Sequence, residues 1–266
     1  MKINTLAIVG CGKLAEIVVD ALINDLLPNY RLIGTLSRTI DKAKYLADKI
    51  NDVQKDYRCN AYESMDDLLA LKANYIVETA TPDAFKKFAL HALRKGSSLV
   101  PLSIGAFADE KFYKDVQEIA IENDVKVYIP SGSIGGLDVM RTASLMGKNK
   151  VKFSSQKSPK PLRQTKVYDV SLESEEKEVF NGNAKEAIAC LPTQLNVAVA
   201  TSLATVGPEN MEVSIMSTPN YVGDRHVITI KNDQVDATLD IYSETSEIAG
   251  WSVVNTLRNI VSPIVF

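Results

Sequence analysis

The amino-acid sequence predicts an α/β protein in two parts, a parallel-sheet domain followed by a smaller α+β domain. Three observations carry this reading. Short apolar runs alternate with longer amphipathic ones through the first half, as βαβ units require. A glycine-rich turn, Gly10-Cys11-Gly12-Lys13-Leu14-Ala15, separates the first apolar run from the first amphipathic one. Beyond Pro130 the pattern changes to strand-length segments joined by turns such as Asn232-Asp233, which suits a mostly antiparallel sheet.

The elements follow in order. Thr5–Val9 reads as a strand and Lys13 to about Leu26 as a helix. Tyr30–Ser37 is the second strand. Ile40–Asn51 is a helix because Ala43, Leu46, Ala47 and Ile50 recur at helical spacing. Asp66–Leu71 is a short helix and Tyr75–Glu78 a strand. Pro82–Arg94 is a helix stopped by Gly96, Ser98–Pro101 a strand, Asp109–Asn123 a helix and Val125–Ile129 a strand. The segment PSGSIGGLD then opens a helix over Leu137–Met146. Strands are expected at Val151–Ser155, Thr165–Leu172, Glu212–Ser217, His226–Lys231 and Val235–Ser243, with helices near Ala184–Ala189 and Val197–Ala204. The stretch Ser246–Ile260 is an amphipathic helix that packs back on the first domain or onto a partner subunit.

Composition narrows the partners. With 30 basic and 33 acidic residues, the net charge is −3, so no global positive field draws in nucleic acid or an anionic membrane. No apolar run approaches the roughly 18 residues of a membrane span. Cys11, Cys59 and Cys190 are scattered and form neither a disulfide framework nor a metal site. Lys13, Glu16 and Asp20 interrupt the N-terminal apolar stretch, against a signal peptide. The expectation is a cytoplasmic protein acting on a small molecule, with no metal.

The turn at Gly10 fits G-x-G-x-x-A in the Rossmann position, after a strand and opening a helix. Gly10 permits the tight turn, Gly12 lets the main chain of Lys13 and Leu14 approach a pyrophosphate, and Ala15 lets helix and strand pack closely. The helix start adds free N–H groups and positive dipole. The second strand ends in Leu36-Ser37-Arg38-Thr39, without the carboxylate that usually holds a ribose 2′-hydroxyl. Asp41 comes late, already inside the next helix. Arg38 and Ser37 could receive a 2′-phosphate instead, so NADP is favoured over NAD, with use of both next; the alternative is that Arg38 is a solvated loop cation. The expected domains are a dinucleotide-binding Rossmann domain over 1–132 and an α+β substrate and dimerisation domain over 133–243. The closing helix occupies about 244–266, and its apolar end points to a homodimer or higher homo-oligomer.

Loops beyond the carboxyl ends of parallel strands rim a bound ligand. That makes Thr79 and Ala80, then Ser103, Gly105 and Ala106, then Ser131, Gly132 and Ser133 candidates; turn chemistry alone accounts for each equally well. Of the two histidines, His91 lies within a helix, where a structural role dominates. His226 begins a strand after Gly223-Asp224-Arg225 and is equally open to a structural or a proton-transfer role. No G-x-S-x-G elbow, Walker A or HExxH offers rival chemistry.

Several segments together resemble the L-aspartate dehydrogenase family: IVGCGKLAE, VETATPDAF, SIGAFAD, PSGSIGGLD, VFNGNAKEAI, LNVAVATSLA and GDRHVITI. The resemblance runs in order along nearly the whole chain. It implies NAD(P)-dependent oxidation of L-aspartate to iminoaspartate, or the reverse, with a link to NAD biosynthesis. It places the catalytic histidine at His226, the nicotinamide-side asparagine at Asn196, and Ser133 where the family has a backbone-contacting alanine. Gln156-Lys157-Ser158-Pro159 stands where relatives often carry Arg-Lys-Pro-Pro. Lys157, Arg225 and the loop with Ser131 and Gly132 are then candidates for the substrate carboxylates. Two alternatives stay open: a related amino-acid or imine dehydrogenase with another substrate, and a non-catalytic dinucleotide-binding sensor.

Overall fold

The computed structural model describes residues 3–191 and 195–266. The chain divides into two compact units, Met1–Pro130 with Ala249–Phe266, and Ser131–Ile248. No helix among the described residues is long and apolar enough to cross a membrane.

In the first unit β1 (Asn4–Val9), β2 (Tyr30–Leu36), β3 (Asn60–Tyr62), β4 (Tyr75–Glu78) and β5 (Ser98–Pro101) form a sheet in the order β3-β2-β1-β4-β5. The pairings are parallel. The order of strand addition therefore reverses between β1 and β4, the place where α/β sheets receive ligands. The helices are α1 (Lys13–Ile23), α2 (Ile40–Asn51), α3 (Met65–Ala70), α4 (Pro82–Arg94) and α5 (Glu110–Glu122). Local chemistry fixes their starts. Thr81 accepts from Ala84 N–H ahead of Pro82 at N1 of α4, and Asp109 accepts from Phe112 N–H at the start of α5. Ala43, Leu46, Ala47 and Ile50 are the buried face of α2.

The expected strand Val125–Ile129 is reduced to one bridge, Leu99 with Val127. Leu99 N–H donates to Lys126 O and Leu99 O accepts from Tyr128 N–H. The next rung would need an N–H from Pro101, which has none. The first helix also ends at Ile23 rather than near Leu26.

The second unit holds α6 (Leu137–Leu145), β6 (Lys150–Lys157), β7 (Lys177–Asn183), α7 (Ala184–Cys190), α8 (Asn196–Ala204), β8 (Glu212–Ser217), β9 (Asp224–Lys231) and β10 (Asp236–Ser243). Their sheet runs β10-β9-β6-β8-β7. β6 and β8 are parallel, and the other pairings antiparallel. One face is buried: Val151, Phe153, Val213, Ile215, Ile228 and Ile230 are each no more than 3% exposed. α7 starts with a capping box between Asn183 and Glu186. The expected strand Thr165–Leu172 does not form. Asp169 accepts from Ser171 N–H and winds Val170–Glu173 into a 3-10 turn, leaving Val170 exposed and Leu172 buried. β7, unannounced by its polar sequence, is an edge strand.

The closing helix α9 (Glu247–Val261) packs on the first unit. Val253, Val254 and Leu257 join the core with Leu6, Val18 and Leu32. The buried Tyr30 hydroxyl donates to Leu257 O at 2.7 Å. Gly250 allows the close approach: a Cβ there would stand 2.7 Å from Ile17 Cδ1.

Candidate active site

β1 delivers Gly10 into a turn that needs glycine. Its φ is +92°, and a Cβ would lie 2.7 Å from Ala80 N. Thr79 holds the turn from β4: its hydroxyl donates to Gly10 O at 2.6 Å and its N–H to Val9 O at 2.9 Å. At Gly12 a Cβ would meet nothing within 4 Å, so a ligand can come up to bare main chain. α1 begins at Lys13 without a side-chain cap, leaving first-turn N–H groups at Lys13 and Leu14 for an anion. Ala15 is fully buried.

A cleft of about 700 Å³ lies over this turn, bordered by Gly10, Gly12, Leu36–Thr39, Lys42, Thr79, Ala80 and Lys87. Arg38, Lys42 and Lys87 contribute positive charge against the Asp83 carboxylate. All three are exposed. Lys42 and Lys87 escaped the sequence reading. Lys42 had a signal, a cation in the first turn of α2, where the helix dipole favours an acid. A glycine cradle, an uncapped helix start and surplus cations fit a pyrophosphate-bearing dinucleotide.

Ser103, Gly105 and Ala106 stand apart from the cleft lining. Ser103 is 4% exposed, and both its N–H and its hydroxyl donate to Glu78. Gly105 and Ala106 lie in a 3-10 turn, Ile104–Ala108, with Ala106 fully buried. Thr79 and Ala80 do line the cleft.

In the second unit, strand register gathers the polar side chains at one end of the buried sheet face. Ser155 of β6 pairs with His226 of β9, and Lys157 pairs with Asp224 and with Ser217 of β8. His226 is 3% exposed and stacks on Phe153, centroids 5.5 Å apart. Burial pushes its imidazole down to about 4, the Lys157 ammonium pushes the same way, and the Asp224 carboxylate opposes them. His226 is therefore neutral at ordinary pH. Lys157 is itself buried, with its Nζ 3.7 Å from Asp224 Oδ1. Among the described residues, His226 Nδ1 and the hydroxyls of Ser155 and Ser217 find no hydrogen-bond partner. Unpaired buried polar atoms are expensive in a stable fold, and here they cluster.

Other candidates sort by position. Ser131 and the buried Gly132, at φ +64°, open the loop ahead of α6, with Ser133 following; Asn196 begins α8 and is part-buried. Arg225 is not brought to His226. Consecutive strand residues face opposite sides, and Arg225 is engaged by Asp240 of β10 on the exposed side, Nε to Oδ1 at 2.8 Å. Sequence reasoning also missed Ser155, Ser217 and Glu78, which carry no local motif.

The order of the first sheet and the ligand-ready turn at its switch point define an α/β protein of the dinucleotide-binding class. Residues 10–130 match the family described as "Homoserine dehydrogenase, NAD binding domain", and residues 138–260 match "Aspartate dehydrogenase, C-terminal". L-Aspartate dehydrogenase of Methanosarcina barkeri is 30% identical, over 74% of this chain and 77% of its own. That of Methanococcus maripaludis strain C5 is 29% identical over 97% of both chains. The crystal structure of aspartate dehydrogenase from Thermotoga maritima superposes with a TM-score of 0.74 at 26% identity, covering 99% of each chain. The chain belongs to the L-aspartate dehydrogenase family.

Proposed function

We propose that the protein catalyses NAD(P)-dependent oxidative deamination of L-aspartate to iminoaspartate, which hydrolyses to oxaloacetate and ammonia, or the reverse. The observation that carries this is the buried His226, its Nδ1 without a partner, set by strand register next to the buried Lys157 and Ser155, in a member of this family. A bound dinucleotide supplies hydride acceptance at its nicotinamide ring. Lys157 receives a substrate carboxylate, and the hydroxyls of Ser155 and Ser217 are free to donate to it. Burial is the main depressor of His226, and a carboxylate against Lys157 offsets the part that the ammonium adds. The imidazole then rises toward the range where it takes a proton from the substrate amine, or from the water that attacks the imine. Asn196 and Ser133 serve the nicotinamide side, and Ser131 and Gly132 the substrate.

The same reading favours NADP. β2 ends without a carboxylate, and Ser37, Arg38 and Lys42 can meet a 2′-phosphate. The test is the rise of reduced-nicotinamide absorbance with purified protein, L-aspartate and either dinucleotide at alkaline pH. Turnover confined to other amino acids, or tight dinucleotide binding with no turnover, overturns the proposal.

A further inference from the structure

Glu78 is the last residue of β4 and is fully buried. Its Oε1 accepts from Ala80 N–H at 2.6 Å and from the Ser103 hydroxyl at 2.7 Å, and its Oε2 accepts from Ser103 N–H at 3.0 Å. Leu102 N–H donates to its main-chain oxygen at 2.8 Å. One side chain thus ties the exit of β4 to the exit of β5. The β4 exit is also the wall of the cleft. Thr79 bonds Gly10, and Ala80 limits the space beside it. None of the chemistry described above uses this carboxyl.

We propose that Glu78 is a positioning residue that clamps the β4 and β5 exits together and so holds the Thr79–Ala80 edge in register with the Gly10 turn for dinucleotide binding. This rests on the reading of the cleft as the dinucleotide site. The clamp demands an acceptor at both oxygens, because each faces a main-chain N–H. A carboxyl meets that demand in either protonation state, since the Ser103 hydroxyl can turn to accept a proton from Oε1 while the two N–H bonds persist. A carboxamide cannot. Whichever way it is flipped, its NH₂ opposes an N–H, of Ala80 or of Ser103.

The test compares Glu78→Gln and Ser103→Ala with the wild type by hydrogen exchange on the ligand-free protein and by calorimetric titration with NADP and NAD. In Glu78→Gln, exchange should rise in residues 79–81 and 102–104 while β2 and the second unit keep their protection. The dinucleotide Kd should rise at least about tenfold, because the carboxamide loses a main-chain bond and leaves two buried donors facing each other. The dinucleotide KM should rise with it, and the amino-acid KM should hold. Ser103→Ala keeps both N–H bonds and should change Kd by less than about threefold. Unchanged exchange and Kd in Glu78→Gln overturn the proposal, as does exchange that rises throughout the first unit. If the wild type binds neither dinucleotide, the cleft reading fails, while the local exchange pattern still judges the clamp.

Discussion

Acid should destabilise this protein through His226 in particular, by an amount the structure sets. Burial, aided by Lys157, lowers the imidazole from 6.5 to about 4. The unfolded chain therefore binds a proton between those values that the folded chain refuses. Stability contributed by the neutral imidazole is complete above the unfolded value and drains away as pH falls to the folded one. At about 1.4 kcal/mol per pH unit, the loss is about 3 kcal/mol. In a protein of this size it corresponds to roughly 6–12 °C in Tm. His226→Phe isolates the effect, because a phenyl ring keeps the stack on Phe153 and cannot titrate. Scanning calorimetry of both proteins should show the wild type losing that much Tm relative to the variant between neutral pH and pH 4. Glu78 titrates in an overlapping range with opposite sign. Burial pushes it up to about 7 from 4.5, so its contribution is greatest in acid and is lost as pH rises. Both proteins contain it, and the difference cancels it. A flat difference would refute the account of His226.

Arg38→Ala should weaken NADP about 10- to 100-fold, the worth of a charge-assisted contact, and NAD by far less, with Lys42→Ala following more mildly; equal shifts in calorimetry would remove the 2′-phosphate reading. Gly10→Ala combines a positive φ with a 2.7 Å approach to backbone, so it should cost about 2 kcal/mol or more in chemical denaturation and abolish dinucleotide binding. Retained affinity would move the phosphate site elsewhere. Lys157→Met should raise the KM for L-aspartate at least about tenfold without loss of Tm, because an apolar residue suits a buried position as well as a charge does. It should also lift the His226 titration toward 6.5, read by NMR, since the ammonium is one cause of its depression. An unmoved titration would mean that burial alone sets it.

Much of the first unit was legible because its signals are local. Ala43, Leu46, Ala47 and Ile50 recur at helical spacing, so α2 could be read to its residue limits. Gly10 and Gly12 stand where a strand gives way to a helix, so the turn and its ligand class could be read together. The misreadings have equally physical causes. Val125–Ile129 has strand composition, but its neighbour's Pro101 withholds the N–H that pairing needs. Thr165–Leu172 alternates like a strand, yet Asp169 turns the backbone away. Period two alone separates Arg225 from His226, but which face is buried depends on packing, including that of α6 against β9.

Sequence alone determined the class of the first domain, the glycine cradle and the lack of a carboxylate at the end of β2, since each is set by residues adjacent in the chain. Tertiary structure decided the remainder. It docked α9 beneath Tyr30, set Lys157 and Ser155 against Asp224 and His226 through one strand register, and folded the β5 exit onto Glu78. Burial and proximity set the ionisation of a side chain, and both arise only when distant segments come together.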